Sequence, residues 1–243
     1  MYKQKLLVQA SHIDYTAKVG VVGAITYMQD SMCNYFKKLG CDGIVMIPIC
    51  QSFFVITKTK IKFHFEPNWL DEVDVETSLF DKSKIRVNLN NCVYTRDGKI
   101  AIEGIQELCP IDSNTRRLRS VDSTLFPSNI SLAEKVGELE YSKFNFDKND
   151  FTLKKKIAID LSNVDFYMHT NNVEYVRFCL SVLDLKVFEN KRVDTFEIHY
   201  IKECSIGDEI EIYVNENDDK IDFLFMVNES VVLKAEMTLA DKK

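Results

Sequence analysis

The chain of 243 residues has no run of about 18 uncharged apolar residues, which excludes a membrane-spanning helix. Its first residues, Met1 to Gln9, turn polar again too soon to form the apolar core of a secretory signal. No CxxC pair or other zinc-like spacing occurs among the cysteines at 33, 41, 50, 92, 109, 179 and 204, so no metal site is expected. Their number is odd, and Cys33, Cys92 and Cys179 lie in apolar stretches, where a reduced thiol behaves as a small buried hydrophobe. The expected compartment is a reducing cytoplasm. Positive charge is not in excess: 31 Lys+Arg against 37 Asp+Glu gives −6, which argues against a general nucleic-acid binder. Nor is this a disordered composition, with 46% apolar and 28% charged residues. The length accommodates one large domain or two of about 120 residues.

What is present is a pattern that occurs twice. Val21, Ile25, Met28, Met32, Tyr35 or Phe36, and Leu39 recur at steps of three and four, so a mostly buried helix is expected over Gly20 to Leu39. Gly40 stands where a left-handed cap belongs. The period then changes to two, through Phe53–Thr57, Ile61–Phe65, Val73–Leu79, Ile85–Leu89 and Ile100–Ile102, with Asp97-Gly98 as a hairpin turn. A helix followed by hairpin-linked strands implies an α+β unit with an antiparallel sheet. From about Asp112 to Asp150 the chain is polar and irregular. The pattern then resumes, with a strand at Lys156–Leu161, a helix from Asn172 to Val187, and four strand runs around Phe196–Tyr200, Ile210–Val214, Phe223–Val227 and Leu233–Met237. The domains expected are 1–125, a linker 126–150, and 151–243.

The two halves also align residue by residue. Glu66 to Val75 matches Glu203 to Ile212 at an offset of 137 residues, and Ile13-Asp14-Tyr15 matches Val164-Asp165-Phe166 at an offset of 151. The 14-residue difference places extra length in the first helix and the loop after it.

The stretch Ser162-Asn163-Val164-Asp165-Phe166-Tyr167-Met168-His169-Thr170-Asn171-Asn172-Val173-Glu174-Tyr175 carries the chemistry. Asp165 and His169 flank a turn, and Asn171-Asn172 are cap-type residues at a helix start. Exposed backbone N–H groups there suit a developing negative oxygen, and a histidine beside them suits proton transfer. Asp165 alone would be an Asx-turn residue, and Glu203 alone a solvated carboxylate.

This segment resembles the acyl-acyl-carrier-protein thioesterases, whose corresponding stretch reads approximately S-D-L-D-x-N-x-H-x-N-N-x-x-Y. The matches are Ser162, Asp165, His169, Asn171, Asn172 and Tyr175. Glu203-Cys204 with Asp208 resembles the family's E-C pair on the strand after the helix. Asn114-Thr115-Arg116-Arg117-Leu118 resembles a third family element, and Glu66-Pro67 to Val73 the first-half strand turn. The resemblance implies two tandem hotdog folds, each a long helix wrapped by an antiparallel sheet. It implies hydrolysis of a fatty acyl thioester on acyl carrier protein, with no cofactor.

On that resemblance Glu203 is the general base or the nucleophile, His169 orients water and protonates the leaving thiol, and Asp165 positions His169 or the substrate. Backbone N–H groups from Thr170 to Asn172 face the oxyanion, and Cys204 is the competing nucleophile. Tyr167 stands where the family has asparagine, and either touches substrate or packs on the sheet. In the first half Lys18 replaces the histidine, so only the second half would carry a catalytic centre, while the first shapes the acyl tunnel. The basic strings Arg116–Arg119 and Lys154–Lys156 are solvated surface or a docking site for the acidic carrier. No nucleic-acid partner and no membrane insertion are expected, and the chain would be a monomer or a homodimer. An acyl-CoA thioesterase and a non-catalytic acyl-binding protein are the alternatives.

Overall fold

A computed structural model describes residues 1–242. The chain forms two compact units, which meet in sequence between Glu140 and Tyr141. In each, a helix lies on an antiparallel sheet in the α+β hotdog arrangement.

The first unit contains β1 (Tyr2–Leu7), α1 (Val21–Leu39), α2 (Gly43–Cys50), β2 (Ser52–Phe63), β3 (Glu72–Lys82), β4 (Val87–Thr95) and β5 (Ile100–Asp112). Its strands are ordered β1-β3-β4-β5-β2, each antiparallel to its neighbour. The apolar stripe of α1 is buried at Ala24, Ile25, Met28, Met32, Tyr35 and Phe36. Gly40 ends the helix at φ +72°, donating its N–H to the Lys37 carbonyl at 3.1 Å. Gly104 in β5 lets the helix approach the sheet: a Cβ there would stand 2.4 Å from Met28 Cε and 2.8 Å from the Asn91 carbonyl oxygen. Beneath α1 runs a buried chain of polar side chains that crosses the sheet. Ser31 and Thr77 share a hydrogen bond of 2.6 Å, Thr77 Oγ1 donates to Asn91 Oδ1 at 2.6 Å, Asn91 Nδ2 donates to Gln106 Oε1 at 2.8 Å, and Gln106 Nε2 donates to Thr59 Oγ1 at 3.3 Å. Each member has a partner, so the polar groups do not suffer the desolvation penalty of unpaired ones.

The second unit contains β6 (Thr152–Ala158), α3 (Asn172–Leu180), β7 (Lys191–Tyr200), β8 (Glu209–Asn217), β9 (Lys220–Val227) and β10 (Ser230–Asp241), ordered β7-β10-β9-β8-β6. Tyr175 of α3 packs on the sheet, with ring centroids 5.8 Å from Tyr200 and 6.4 Å from Phe225. The helix stops at Leu180, short of the expected Val187. Ser181 Oγ turns back to the Phe178 carbonyl at 2.9 Å, and Asp184 accepts the Lys186 N–H at 2.9 Å to start a separate 3-10 turn. The apolar spacing continued through that turn, but the local side-chain bonds ended the helix. Strand β6 begins and ends earlier than the expected Lys156–Leu161.

Helix α2 falls where no element was expected, because its sequence, GIVMIPIC, is apolar without a period. Asp42 caps it, accepting the N–H groups of Ile44 and Val45 at 3.0 and 3.3 Å. With α1 at 19 residues against 9 in α3, this helix accounts for the extra length of the first copy.

Residues 126–150 are irregular but closely attached. Phe126 joins an aromatic cluster with Phe36 and Phe54, at centroid distances of 5.9 and 5.6 Å. The Ala133 N–H donates to the Leu79 carbonyl at 2.8 Å, and Asn90 of β4 clamps the strap from both sides, donating to the Glu134 carbonyl and accepting the Val136 N–H, each at 2.9 Å. In the second unit, the Ser142 N–H and hydroxyl donate to the buried Glu197 carboxylate at 2.7 and 2.9 Å. No helix among the described residues is long and apolar enough to cross a membrane.

Candidate active site

The loop from Asp160 to Asn171 is built from short side-chain-to-backbone bonds. Asp160 accepts the Ser162 N–H and hydroxyl at 2.8 and 2.6 Å. Asp165 Oδ1 accepts the Tyr167 N–H at 2.9 Å, and the Asp165 carbonyl accepts the Met168 N–H at 2.9 Å. This Asx-type turn places Met168 at φ +63°, a strained value for a residue with a long side chain. The chain then reverses, and the Asp165 N–H donates to the His169 carbonyl at 3.0 Å. Asn171 caps α3 by accepting the Val173 N–H at 2.9 Å.

The second arm is the loop between β7 and β8, where Glu203-Cys204 lies, not on a strand as the resemblance implied. Gly207 takes φ +93° and donates its N–H to the Ile159 carbonyl at 3.1 Å, while Asp208 Oδ2 accepts the Ser205 N–H at 2.8 Å. The arms meet where the Thr170 N–H and hydroxyl donate to the Cys204 carbonyl, at 2.8 and 3.1 Å. His169 Nε2 thereby comes to 3.8 Å from Glu203 Oε2, with the two side chains 25% and 37% exposed. Asp165 is close enough to interact with both, and burial raises its carboxyl above the usual range despite the Tyr167 and His169 N–H groups directed at it.

The remaining expected site residues are placed as follows. Thr170 is buried, and its N–H is taken up by Cys204; the Asn171 N–H is taken up by the Asn163 carbonyl at 2.9 Å. Those two donors therefore do not face an oxyanion, and of the three expected only the N–H of Asn172, at the first turn of α3, lacks a backbone acceptor among the described residues. The Cys204 side chain points inward, is 1% exposed, and has its thiol pushed up by burial. A catalytic thiol needs the opposite environment, so the geometry does not supply a Cys–His nucleophile. Tyr167 is half-buried, with its ring 3.8 Å from that of Phe166.

The first unit reproduces the backbone frame of this construction. Asp14 Oδ1 accepts the Thr16 N–H at 2.8 Å, Ala17 takes φ +60°, and the Asp14 N–H donates to the Lys18 carbonyl at 2.9 Å. Leu70, aligned with Gly207, takes φ +70°, and Asp71, aligned with Asp208, accepts the Asn68 N–H at 2.8 Å. The Val19 N–H donates to the Pro67 carbonyl at 2.8 Å, and Lys18 Nζ lies 3.8 Å from Glu66 Oε2, the same separation as His169 and Glu203. The two sequence offsets are thus one shared architecture, with an ammonium in place of the imidazole.

Comparison with known proteins adds the lineage. The family model for the acyl-ACP thioesterase N-terminal domain matches residues 1–127, and that for the C-terminal domain matches residues 147–240. A chloroplastic acyl-[acyl-carrier-protein] hydrolase of Cuphea viscosissima is 23% identical over 82% of this chain and 49% of its own length. A chloroplastic oleoyl-acyl carrier protein thioesterase of Coriandrum sativum is 21% identical over 86% and 61%. The chain spans about half the length of the curated relatives it matches. Among solved structures, an acyl-ACP thioesterase from Bacteroides thetaiotaomicron aligns with a TM-score of 0.84 at 16% identity, covering 98% of this chain and 97% of that one. The 12:0-ACP thioesterase of Umbellularia californica aligns at 0.83 and 18% identity, covering 99% and 97%. The tandem fold is therefore that of these enzymes, and the chain belongs to the acyl-ACP thioesterase family.

Proposed function

We propose that the chain hydrolyses the thioester of fatty acyl-acyl-carrier protein, using the second unit alone. The observation that carries this reading is the half-exposed His169–Glu203 pair at 3.8 Å, held beside the N-terminus of α3. Glu203 takes a proton from a water molecule positioned with the help of His169, and the resulting hydroxide attacks the thioester carbonyl carbon. The Asn172 N–H and the positive end of α3 stabilise the tetrahedral oxyanion. Collapse breaks the carbon–sulfur bond, and the proton gained by the pair passes through His169 to the departing thiolate. Asp165 holds the turn that aims His169, through its bonds to the backbone of Tyr167 and His169. Every step uses carboxylate, imidazole and backbone dipoles.

An acidic carrier would meet a cationic surface, and of the two basic strings several members are already engaged. Arg119 pairs with Asp112 at 3.3 Å and Lys156 with Glu211 at 2.7 Å, leaving the exposed Arg117 and Lys154 as the stronger contributors to steering. Seven unbridged thiols fit a reducing compartment. The deciding experiment measures fatty acid release from acyl-carrier and acyl-CoA substrates side by side. Faster release from the carrier form supports the reading, release from CoA alone redirects it, and binding without release ends it.

A further inference from the structure

The duplicated architecture separates what the fold needs from what the site needs. Three positions around the pair have side chains with no hydrogen-bonding group in the first unit and with one in the second. Val19 becomes Thr170, Pro67 becomes Cys204 and Ala24 becomes Tyr175, all of the second set being buried. In the first unit a single bond from the Val19 N–H holds the Pro67 carbonyl, and the proline ring itself fixes φ at that residue. Cys204 has no ring to fix it. Its carbonyl instead accepts two donors from one residue, the Thr170 N–H at 2.8 Å and the Thr170 hydroxyl at 3.1 Å. The Tyr175 hydroxyl, reaching in from α3, interacts with both the Thr170 hydroxyl and the Cys204 side chain. Thr170 follows His169 directly in sequence, and Cys204 follows Glu203.

We infer that the Thr170 hydroxyl is a positioning group that braces the His169 loop against the Glu203 loop, with Tyr175 behind it. A lysine–glutamate ion pair tolerates a loose hinge, because an ammonium is a point charge on a flexible stem. An imidazole sharing water with a carboxylate is directional, and misalignment of either partner lowers the rate. The inference rests on the hydrolytic reading for its kinetic consequence, though the brace is also detectable without turnover.

Thr170→Val copies the first unit's own residue, so the fold should tolerate it. The expected result is a kcat about tenfold lower, as for the loss of one ordinary hydrogen bond, with KM and melting temperature little changed. Thr170→Ser should restore kcat, and Thr170→Val should cost nothing further in a Glu203→Gln background. A Thr170→Val kcat within twofold of wild type overturns the brace, as does an undiminished loss in the Glu203→Gln background. Histidine-ring 1H–15N spectra, with His169 assigned through a His169→Gln variant, give the second measurement. The His169 signals should move or broaden in Thr170→Val, while those of His64 and His199 stay in place. If wild type releases no fatty acid, the hydrolytic reading fails, and the spectra still decide: unmoved His169 signals overturn the brace and displaced ones sustain it.

Discussion

Glu203→Gln removes the carboxylate charge while keeping its volume, and its effect can be sized from the geometry. Unit charges 3.8 Å apart attract by about 1 kcal/mol in bulk water and about 4 kcal/mol at an effective dielectric of 20. With His169 25% and Glu203 37% exposed, the pair lies between those limits. Losing that attraction when the imidazole carries a proton costs from about 5-fold to about 10³-fold in rate. Losing the base itself costs about 10²- to 10⁴-fold, and because one group supplies both effects they do not multiply. The expected fall in kcat is therefore about 10²- to 10³-fold, with KM nearly unchanged. The molecule carries its own control, since Glu66 lies at the same distance from Lys18 in the first unit. Glu66→Gln should leave turnover intact. Fatty acid release is best followed by mass spectrometry, because exposed Cys33 would consume a thiol reagent. A Glu203→Gln enzyme within threefold of wild type, or an equal loss in Glu66→Gln, would refute the assignment of the chemistry to the second unit.

Cys204→Ala should keep kcat within about threefold of wild type, since the buried thiol supplies no nucleophile and the clamped group is its backbone carbonyl. Tyr167→Asn should turn over acyl-carrier substrate as fast as wild type or faster, as judged by steady-state kinetics. Gly23→Ala should lower the melting temperature even though alanine favours helices by about 1 kcal/mol, because the new Cβ would lie 2.0 Å from the His12 carbonyl oxygen. Asn91→Leu should cost about 2–4 kcal/mol in urea unfolding, by leaving Thr77 and Gln106 buried without their shared partner.

Much of this architecture was legible in the sequence because it rests on periodicity and turn chemistry. The stripe from Val21 to Leu39 and the Gly40 stop define α1 to within a residue, and Asp97-Gly98 lies in the β4–β5 turn, with Gly98 at φ +81°. Glu203 and His169 are far apart in the chain, and it is the family resemblance, not their spacing, that pairs them. What escaped the sequence is local competition: Ser181 and Asp184 end α3 against an apolar pattern that runs on. The spent N–H groups of Thr170 and Asn171 were equally invisible, since their acceptors, Cys204 and Asn163, are set by loop folding. The signal for the Thr170 brace was present in the alignment of the two halves, in the exchange of Val19, Pro67 and Ala24 for residues with a hydroxyl or thiol.

The attachment of residues 126–150 bears on how the protein can be dissected. A fragment ending at residue 125 would strip Asn90 of both strap bonds and Phe36 and Phe54 of Phe126. A fragment beginning at 151 would leave the Glu197 carboxylate, deep in β7, without the Ser142 donors. A flexible Gly/Ser replacement would inflict both injuries at once. Workable halves would have to be cut near Glu140, so that each retains its own length of irregular chain as part of its folded body.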